Sequence, residues 1–256
     1  MAAFRLALEL KVDGIELDVH MSRDGSIVVI HDSTVDRTTN GKGRIGAMTL
    51  EELRSLDAGS WFNAEYAGER IPTLDEVMAL VQGRARLFIE MKDPDLYPDS
   101  LESELLSLVR RHRMQDRVFF LSFNRQALKR MRDLDAEVPI ALLISNLRRD
   151  PLKAARLLQA SGLAVQHRRL TKALAQKALD SDLALIAWTV DDPKDMARVL
   201  KAGATAIITN YPDRFARSWE SCSTNPNILS KPERTFHREG AKYAEKKRHG
   251  FHGFHG

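Results

Sequence analysis

Apolar residues along the chain fall into short runs that alternate with amphipathic stretches. Runs such as Val118-Phe119-Phe120-Leu121 and Ala184-Leu185-Ile186-Ala187 are continuously apolar, which is typical of strands buried on both faces. The stretches between the runs carry apolar residues at three- and four-residue spacing, which predicts helices. From Thr73 onward the alternation is regular, and it predicts a parallel sheet covered by helices.

This pattern predicts one α/β barrel. A length of 256 residues is enough for such a fold, and no repeat of fixed period and no linker divides the chain. A helix over 2–11 opens the chain and precedes strands over 14–19 and 27–31. The remaining predicted strands cover 86–91, 117–121, 138–143, 163–166, 184–190 and 205–209, and the remaining helices of the regular part cover 73–81, 99–112, 124–134, 151–160, 171–180 and 193–202.

Residues 32–72 form a longer and less regular connection than a barrel normally has. A turn cluster over 38–43 is followed by a short helix over 48–56, whose start is marked by Thr49 and Glu52 as a capping box. Long connections in compact domains often carry function. We therefore interpret 32–72 as a functional insertion after the first pair of strands.

Composition limits the class of protein. The chain is 43% hydrophobic and 29% charged, which is ordinary for a globular protein. No apolar run approaches the roughly 18 residues of a membrane helix, and Arg5 and Glu9 interrupt the apolar N-terminus. Cys222 is alone and cannot form an intramolecular disulfide. We expect no transmembrane segment and a cytoplasmic protein.

The net charge of +4 is confined to the C-terminal tail. Residues 221–256 contain seven Lys/Arg and three Asp/Glu, whereas residues 1–220 contain 32 of each sign. The body therefore offers no basic groove for nucleic acid. Because the tail lacks hydrophobic periodicity, we predict a barrel domain over 1–220 and a basic, disordered tail over 221–256. Four of the eight histidines lie in the tail, so weak transition-metal binding or contact with an anionic membrane or nucleic acid are alternatives to an inert extension.

Ionisable residues stand at the carboxyl ends of the first predicted strands. Glu16 and Asp18 alternate with apolar residues, so they share one face of a strand. His31 follows the next strand, and Glu90 and Lys92 end the strand over 86–91. Three carboxylates can hold a hard divalent cation, and a histidine can move protons near neutral pH. In a parallel barrel this is the end where chemistry takes place.

A series of ordered motifs carries a family resemblance. Together they span about residues 1–217, and in this order the chain resembles the glycerophosphodiester phosphodiesterase family. The motifs are Asp13-Gly14-Ile15-Glu16-Leu17-Asp18-Val19-His20, Val29-Ile30-His31-Asp32, Asp36-Arg37-Thr38-Thr39-Asn40-Gly41-Lys42-Gly43, Asp57-Ala58-Gly59-Ser60-Trp61, Ile71-Pro72-Thr73-Leu74, Ile89-Glu90-Met91-Lys92, Ser122-Phe123, Trp188-Thr189-Val190 and Ile207-Ile208-Thr209-Asn210-Tyr211-Pro212-Asp213.

The resemblance implies a TIM-type (β/α)8 barrel of the phospholipase-C-like phosphodiesterase kind. It implies hydrolysis of glycerophosphodiesters to glycerol 3-phosphate and an alcohol, with Ca²⁺ or Mg²⁺ as the cofactor and a small-molecule substrate as the partner. Residues that match family positions are the metal ligands Glu16, Asp18 and Glu90, the second catalytic histidine His31, the phosphate-binding and catalytic lysine Lys92, and the pocket aromatics Phe123 and Trp188.

The chain departs from the family at its start. Family members begin with a strand that ends in His-Arg-Gly and supplies the first catalytic histidine, and no such strand precedes Met1. With the strands over 14–19 and 27–31 counted as one pair, seven barrel strands are predicted where eight are needed. We therefore expect unpaired edges and impaired activity. From this departure we expect either a misassigned start codon or a degenerate fragment. His20, on the face of Glu16, is a candidate replacement, and His167 is a candidate residue of the barrel mouth.

Several functions remain open from the sequence. The main hypothesis is a metal-dependent phosphodiesterase in phospholipid and glycerol metabolism. The alternatives are a catalytically impaired relative that binds metal and a phosphorylated glycerol, an enzyme with lysophospholipase D-like activity, and a nonfunctional fragment. The sequence does not set the alcohol that is released, the preferred cation or the oligomeric state.

Overall fold

Eight parallel strands and one antiparallel strand form a single sheet in the computed structural model of the protein. The structure describes residues 1–92, 101–146 and 150–214, together with the backbone of 235–238. Within these residues the strands are β1 (Gly14–Met21), β2 (Ile27–Val29), β3 (Arg86–Met91), β4 (Val118–Ser122), β5 (Ile140–Ile144), β6 (Gly162–Gln166), β7 (Ala184–Trp188), β8 (Ala206–Thr209) and β9 (Thr235–Arg238).

Helices alternate with the strands and cover the outside of the sheet, as the apolar pattern predicts. Side chains cap most of them; Thr73, for example, forms a capping box with Glu76 at the start of the third helix. The α-helices are α1 (Ala2–Glu9), α2 (Leu50–Ser55), α3 (Leu74–Val81), α4 (Leu101–Arg111), α5 (Arg125–Leu134), α6 (Pro151–Leu157), α7 (Lys172–Leu179) and α8 (Pro193–Ala202).

Alternation along the strands divides the core into two layers. On β1, Ile15, Leu17 and Val19 are fully buried against the helices. Their neighbours Glu16 and Asp18 therefore belong to the opposite, inner face. On β3 to β8 the inner face is apolar, and its cluster consists of Phe88, Leu121, Ala141, Leu143, Ala164, Ile186, Ala206 and Ile208. The barrel interior is thus filled by side chains, except where β1 and β3 carry carboxylates.

The segment after β1 folds back as a hairpin. β2 pairs antiparallel with the carboxyl end of β1, with Val19 opposite Val29. Gly25, with φ of +84°, takes the left-handed conformation that this tight turn needs. Residues 32–72 then cover the hairpin through a small core of Val28, Val35, Ile45, Leu53 and Ile71. The predicted capping box of the short helix is confirmed, since Thr49 and Glu52 bond each other's backbone N–H.

The gap between β8 and β1 is filled by a strand from the C-terminal tail. β9 pairs parallel with β8, where Thr209 is opposite His237, and parallel with β1, where Glu16 is opposite Arg238. The seven predicted barrel strands are found as β1 and β3 to β8, and β9 takes the eighth position. The expectation of open edges at β8 and β1 is therefore wrong. The structure places Thr235–Arg238 of the predicted tail in this strand, because the free edges of β1 and β8 offer backbone partners to a short extended segment.

The rest of the predicted tail, and the domain boundary at residue 220, lie outside the described residues. The boundary stays a prediction. Among the described residues, no helix is both long enough and apolar enough to cross a membrane.

Candidate active site

Three buried carboxylates meet at the carboxyl ends of β1 and β3. Glu16 and Asp18 are two residues apart on β1, and the parallel register places Asp18 opposite Glu90 of β3. Glu16, Asp18 and Glu90 are 2%, 1% and 4% exposed. One oxygen of each carboxylate lies within 4.8 Å of the others. The sequence-based grouping of these three residues is thus what the structure shows.

Lys92 supplies positive charge to this cluster. Its Nζ lies 2.5 Å from Glu90 Oε1 and 3.1 Å from Asp18 Oδ1. Burial alone would lower the pKa of Lys92, but the carboxylates of Asp18 and Glu90 outweigh burial and raise it. Lys92 therefore stays charged. Burial first, and then the charge of Asp18, raise the pKa of Glu90 to about 7 despite the opposing effect of Lys92.

The cluster fits a divalent cation. Three ionised carboxylates beside one lysine leave an excess of negative charge in a buried place, which is costly unless a further cation compensates it. The pKa of Glu90 is raised by burial first and by the charge of Asp18 second, which shows that a further negative charge is costly here. Carboxylate oxygens are the ligands that Ca²⁺ and Mg²⁺ prefer. Glu16, Asp18 and Glu90 would hold the ion.

His31 lies at the same cleft, on the chain that leaves β2. The strand ends at Val29, so His31 stands two residues beyond it rather than at its last position. Its Nδ1 lies 2.7 Å from Asp32 Oδ1. Residues that line the cleft are Glu16, His31, Glu90, Lys92, Phe123, Leu143, Trp188 and Ile208. All of the predicted site residues except the buried Asp18 line this cleft.

Two aromatic rings also line the cleft. Phe123 and Trp188 pack edge to face, with ring centroids 5.6 Å apart. Trp188 Nε1 donates a hydrogen bond of 2.8 Å to the carbonyl of Ala164, which fixes the indole. Phe123 is 47% exposed. The two rings therefore belong to an accessible surface of the cleft and not to the sealed core.

The structure does not bring two other predicted histidines into the cleft. His20 is 1% exposed, and its Nε2 lies 3.3 Å from the backbone carbonyl of His31; it supports the chain beneath the site. His167 contacts α8, with its Nδ1 3.2 Å from Arg198 Nη2. Neither ring lines the cleft, because His20 is buried on β1 and His167 packs against α8, so the structure gives no support to either candidate role.

Sequence reasoning assigned no role to Asp32, Arg37, Leu143 or Ile208. For Asp32, its position directly after His31 in the sequence was a signal that could have pointed to a role. The apolar lining residues carry no signal of their own, since every barrel strand has such residues on its inner face.

The fold defines the chain as a TIM-barrel protein, a class in which active sites lie at the carboxyl ends of the strands. The family model described as "Glycerophosphoryl diester phosphodiesterase family" matches residues 1–214. The chain belongs to this family, and the resemblance inferred from the motifs is confirmed.

Relatives with assigned names agree with this membership. The glycerophosphodiester phosphodiesterase of Caldanaerobacter subterraneus subsp. tengcongensis is 39% identical over 214 residues, which cover 83% of this chain and 88% of the relative. A glycerophosphodiester phosphodiesterase of Bacillus subtilis is 34% identical, over 83% of this chain and 78% of the relative.

Solved structures show the same fold. An Oleispira antarctica phosphodiesterase, in complex with the product sn-glycerol-3-phosphate, superposes with a TM-score of 0.81 at 27% identity, over 86% of this chain and 90% of that one. A glycerophosphodiester phosphodiesterase from Agrobacterium tumefaciens has a TM-score of 0.74 at 30% identity, over 83% and 90%.

Proposed function

We propose that the chain hydrolyses glycerophosphodiesters to glycerol 3-phosphate and an alcohol, with Ca²⁺ or Mg²⁺ bound by Glu16, Asp18 and Glu90. The observation that carries the proposal is the approach of these carboxylates to within 4.8 Å, in a cleft that also contains His31 and Lys92. Family membership and the relative that holds sn-glycerol-3-phosphate support the choice of substrate.

Positive charge in the cleft favours a substrate that carries a phosphate group. A bound divalent cation would supply positive charge to the phosphate oxygens of the substrate. The ammonium of Lys92, which stays protonated beside Asp18 and Glu90, adds a second positive group at the cleft. Lys92 therefore binds the phosphate and stabilises charge that develops on it as the P–O bond breaks.

His31 moves a proton. Since its Nδ1 is engaged by Asp32, Nε2 is the ring atom that exchanges a proton with the attacking or the leaving oxygen. Among the residues that the structure describes with side chains, His31 is the histidine that lines the cleft. We assign it one of the two proton transfers of the reaction.

Phe123 and Trp188 determine which organic groups of a substrate fit the cleft. Their edge-to-face pair gives an apolar wall, against which the carbon atoms of glycerol or of the leaving alcohol lose contact with water. We place this activity in the turnover of phospholipid headgroups and glycerol. The cytoplasmic location stays the prediction made from the sequence.

Phosphorus NMR on a panel of substrates tests the proposal. The full chain, with Ca²⁺ or Mg²⁺, is incubated with glycerophosphocholine, glycerophosphoethanolamine and lysophosphatidylcholine. Release of glycerol 3-phosphate from the first two supports the proposal, and preferential release of lysophosphatidic acid from the third shows the lysophospholipase D alternative. Absence of every product contradicts the proposed hydrolysis.

A second candidate is a relative that binds metal and a phosphorylated glycerol without turnover. The single cleft histidine among the described side chains favours it. Calorimetry with sn-glycerol-3-phosphate and Ca²⁺ separates the two candidates: binding without hydrolysis in the NMR assay supports this second one.

A further inference from the structure

The side chain of His31 is held by a pair of charged residues from the insertion. Asp32 Oδ1 lies 2.7 Å from His31 Nδ1. Arg37 grips the same carboxylate with two bonds, from Nε to Oδ2 at 2.6 Å and from Nη2 to Oδ1 at 3.0 Å. A two-pronged arginine contact fixes the plane of a carboxylate as well as its position. His31, Asp32 and Arg37 thus form a chain from the cleft to the insertion.

We propose that Asp32, oriented by Arg37, is a positioning residue that fixes the ring of His31 and holds its neutral form as the Nδ1–H tautomer. The assignment of a chemical step to His31 rests on the proposed function, whereas the tautomer and the orientation do not. Neither Asp32 nor Arg37 touches the cleft, and both act through the imidazole.

The charge of Asp32 is what makes it suitable. Hydrogen bonds from Arg37 first, and also from His31, lower the pKa of Asp32 to about 2 despite partial burial. The carboxylate is therefore ionised at any working pH and can only accept hydrogen bonds. Its neighbour must donate, so the neutral imidazole carries its proton on Nδ1 and presents the lone pair of Nε2 to the cleft.

The backbone of His31 is fixed independently. Its carbonyl lies 3.3 Å from Nε2 of the buried His20, and because a carbonyl only accepts, His20 donates through Nε2. The ring is thus restrained by Asp32 and the peptide by His20. Two restraints on one residue limit the freedom of Nε2 to the short range that proton transfer requires.

A purely structural role would have a different signature. Asp32 is 27% exposed and Arg37 is 55% exposed, and ion pairs with that exposure contribute little to stability. Replacing Asp32 should therefore leave the melting temperature of the protein nearly unchanged. An effect on His31 without an effect on melting distinguishes positioning from support of the fold.

Nitrogen NMR of the histidine rings tests the tautomer without any need for activity. The protein is labelled with ¹⁵N-histidine, and the His31 signals are identified by their loss in His31→Gln. We expect the neutral ring of the wild type to be the Nδ1–H tautomer and Asp32→Ala to convert it largely to Nε2–H. Asp133→Ala, which breaks the exposed Lys129 pair, is the matched control. An unchanged tautomer in Asp32→Ala overturns the proposal even if the enzyme is active.

A double-mutant cycle tests the kinetic consequence. Asp32→Ala should lower kcat roughly 10–100-fold, as loss of a residue that orients a functional histidine does, with KM nearly unchanged. Arg37→Lys keeps the positive charge but cannot form both hydrogen bonds to Asp32. Its kcat should therefore lie between those of the wild type and Arg37→Ala. In a His31→Ala background, Asp32→Ala should have no further effect. An equal loss of activity in both backgrounds would show that Asp32 acts by another route.

Discussion

Lys92 Nζ and Glu90 Oε1 lie 2.5 Å apart at the end of β3, where one residue separates Lys92 from Glu90 in the sequence. The same ammonium lies 3.1 Å from Asp18. Lys92 therefore neutralises part of the charge of these carboxylates when no cation is bound. Under the proposed function, the same ammonium would bind the phosphate of the substrate.

Lys92→Met should separate these two roles. Without the ammonium, the carboxylates of Asp18 and Glu90 repel each other more strongly. Their oxygens are also no longer occupied by Lys92, which competes with the cation for them. We expect the affinity for Ca²⁺ or Mg²⁺, measured by calorimetry, to be equal or higher, while kcat falls. Arg5→Met, far from the cleft, is the control. Weaker cation binding in Lys92→Met would show that Lys92 supports the metal ligands instead of competing for them.

Removal of a carboxylate should weaken cation binding. Glu16→Gln and Glu90→Gln each keep the size of the side chain but remove a charged ligand. We expect each to raise the dissociation constant for Ca²⁺ or Mg²⁺ at least about tenfold, which corresponds to ~1.4 kcal/mol. Glu51→Gln, at an exposed position on α2, is the control and should bind the cation with the affinity of the wild type. Equal cation affinity in all three variants would show that this cluster is not the metal site.

Gly59 should not tolerate a side chain. A Cβ at Gly59 would lie 1.8 Å from the backbone oxygen of Tyr66, and Asp57 ties the two segments together by accepting bonds from Gly59 N and Gly68 N. Because backbone atoms cannot move aside, Gly59→Ala should lower the free energy of unfolding by about 3 kcal/mol or more, at the upper end for overpacking.

Gly25→Ala is the matched control for that variant. A Cβ at Gly25 meets nothing within 4 Å, and the cost there comes only from φ of +84°, about 1 kcal/mol. Urea denaturation of the two variants measures the difference. A smaller loss in Gly59→Ala than in Gly25→Ala would contradict the close approach.

Deletion of β9 should destabilise the barrel. A chain that ends at Arg214 leaves β1 and β8 without the partner that β9 provides, and we expect its melting temperature to fall by roughly 5 °C or more, or ~2 kcal/mol. Cation affinity should fall as well, because Glu16 lies in the paired part of β1. A chain that ends at Gly240 retains β9 and is the control. Equal melting of all three chains would restore the interpretation of the tail as dispensable.

The sequence predicted the parts of the molecule that depend on local pattern. The strand over 86–91 is found at those residues, and the alternation on β1 placed Glu16 and Asp18 together. The approach of Glu90 to Asp18 followed from the shared end of parallel strands. These features come from periodicity and chain direction, which are visible in the order of the residues.

Features that depend on distant pairing were not predicted. β9 is four residues long in a stretch without periodicity. Its position is set by the open edges of β1, about 220 residues away in the sequence, and of β8, about 28 residues away. Likewise, the hydrogen bonds from Arg37 to Asp32 depend on how the insertion folds over the hairpin. Side-chain orientation of this kind is not encoded in spacing.

The release of glycerol 3-phosphate from glycerophosphocholine by the full chain tests the central claim most directly. The rate is followed by a coupled enzymatic assay in excess EDTA, and then after Ca²⁺ or Mg²⁺ is restored. We predict no turnover with the chelator, recovery with at least one of the two cations, and strong loss in Glu16→Gln and His31→Ala but not in Glu51→Gln. Turnover that persists in EDTA, or that survives both site variants, would contradict the assignment of a metal-dependent phosphodiesterase site to this cleft.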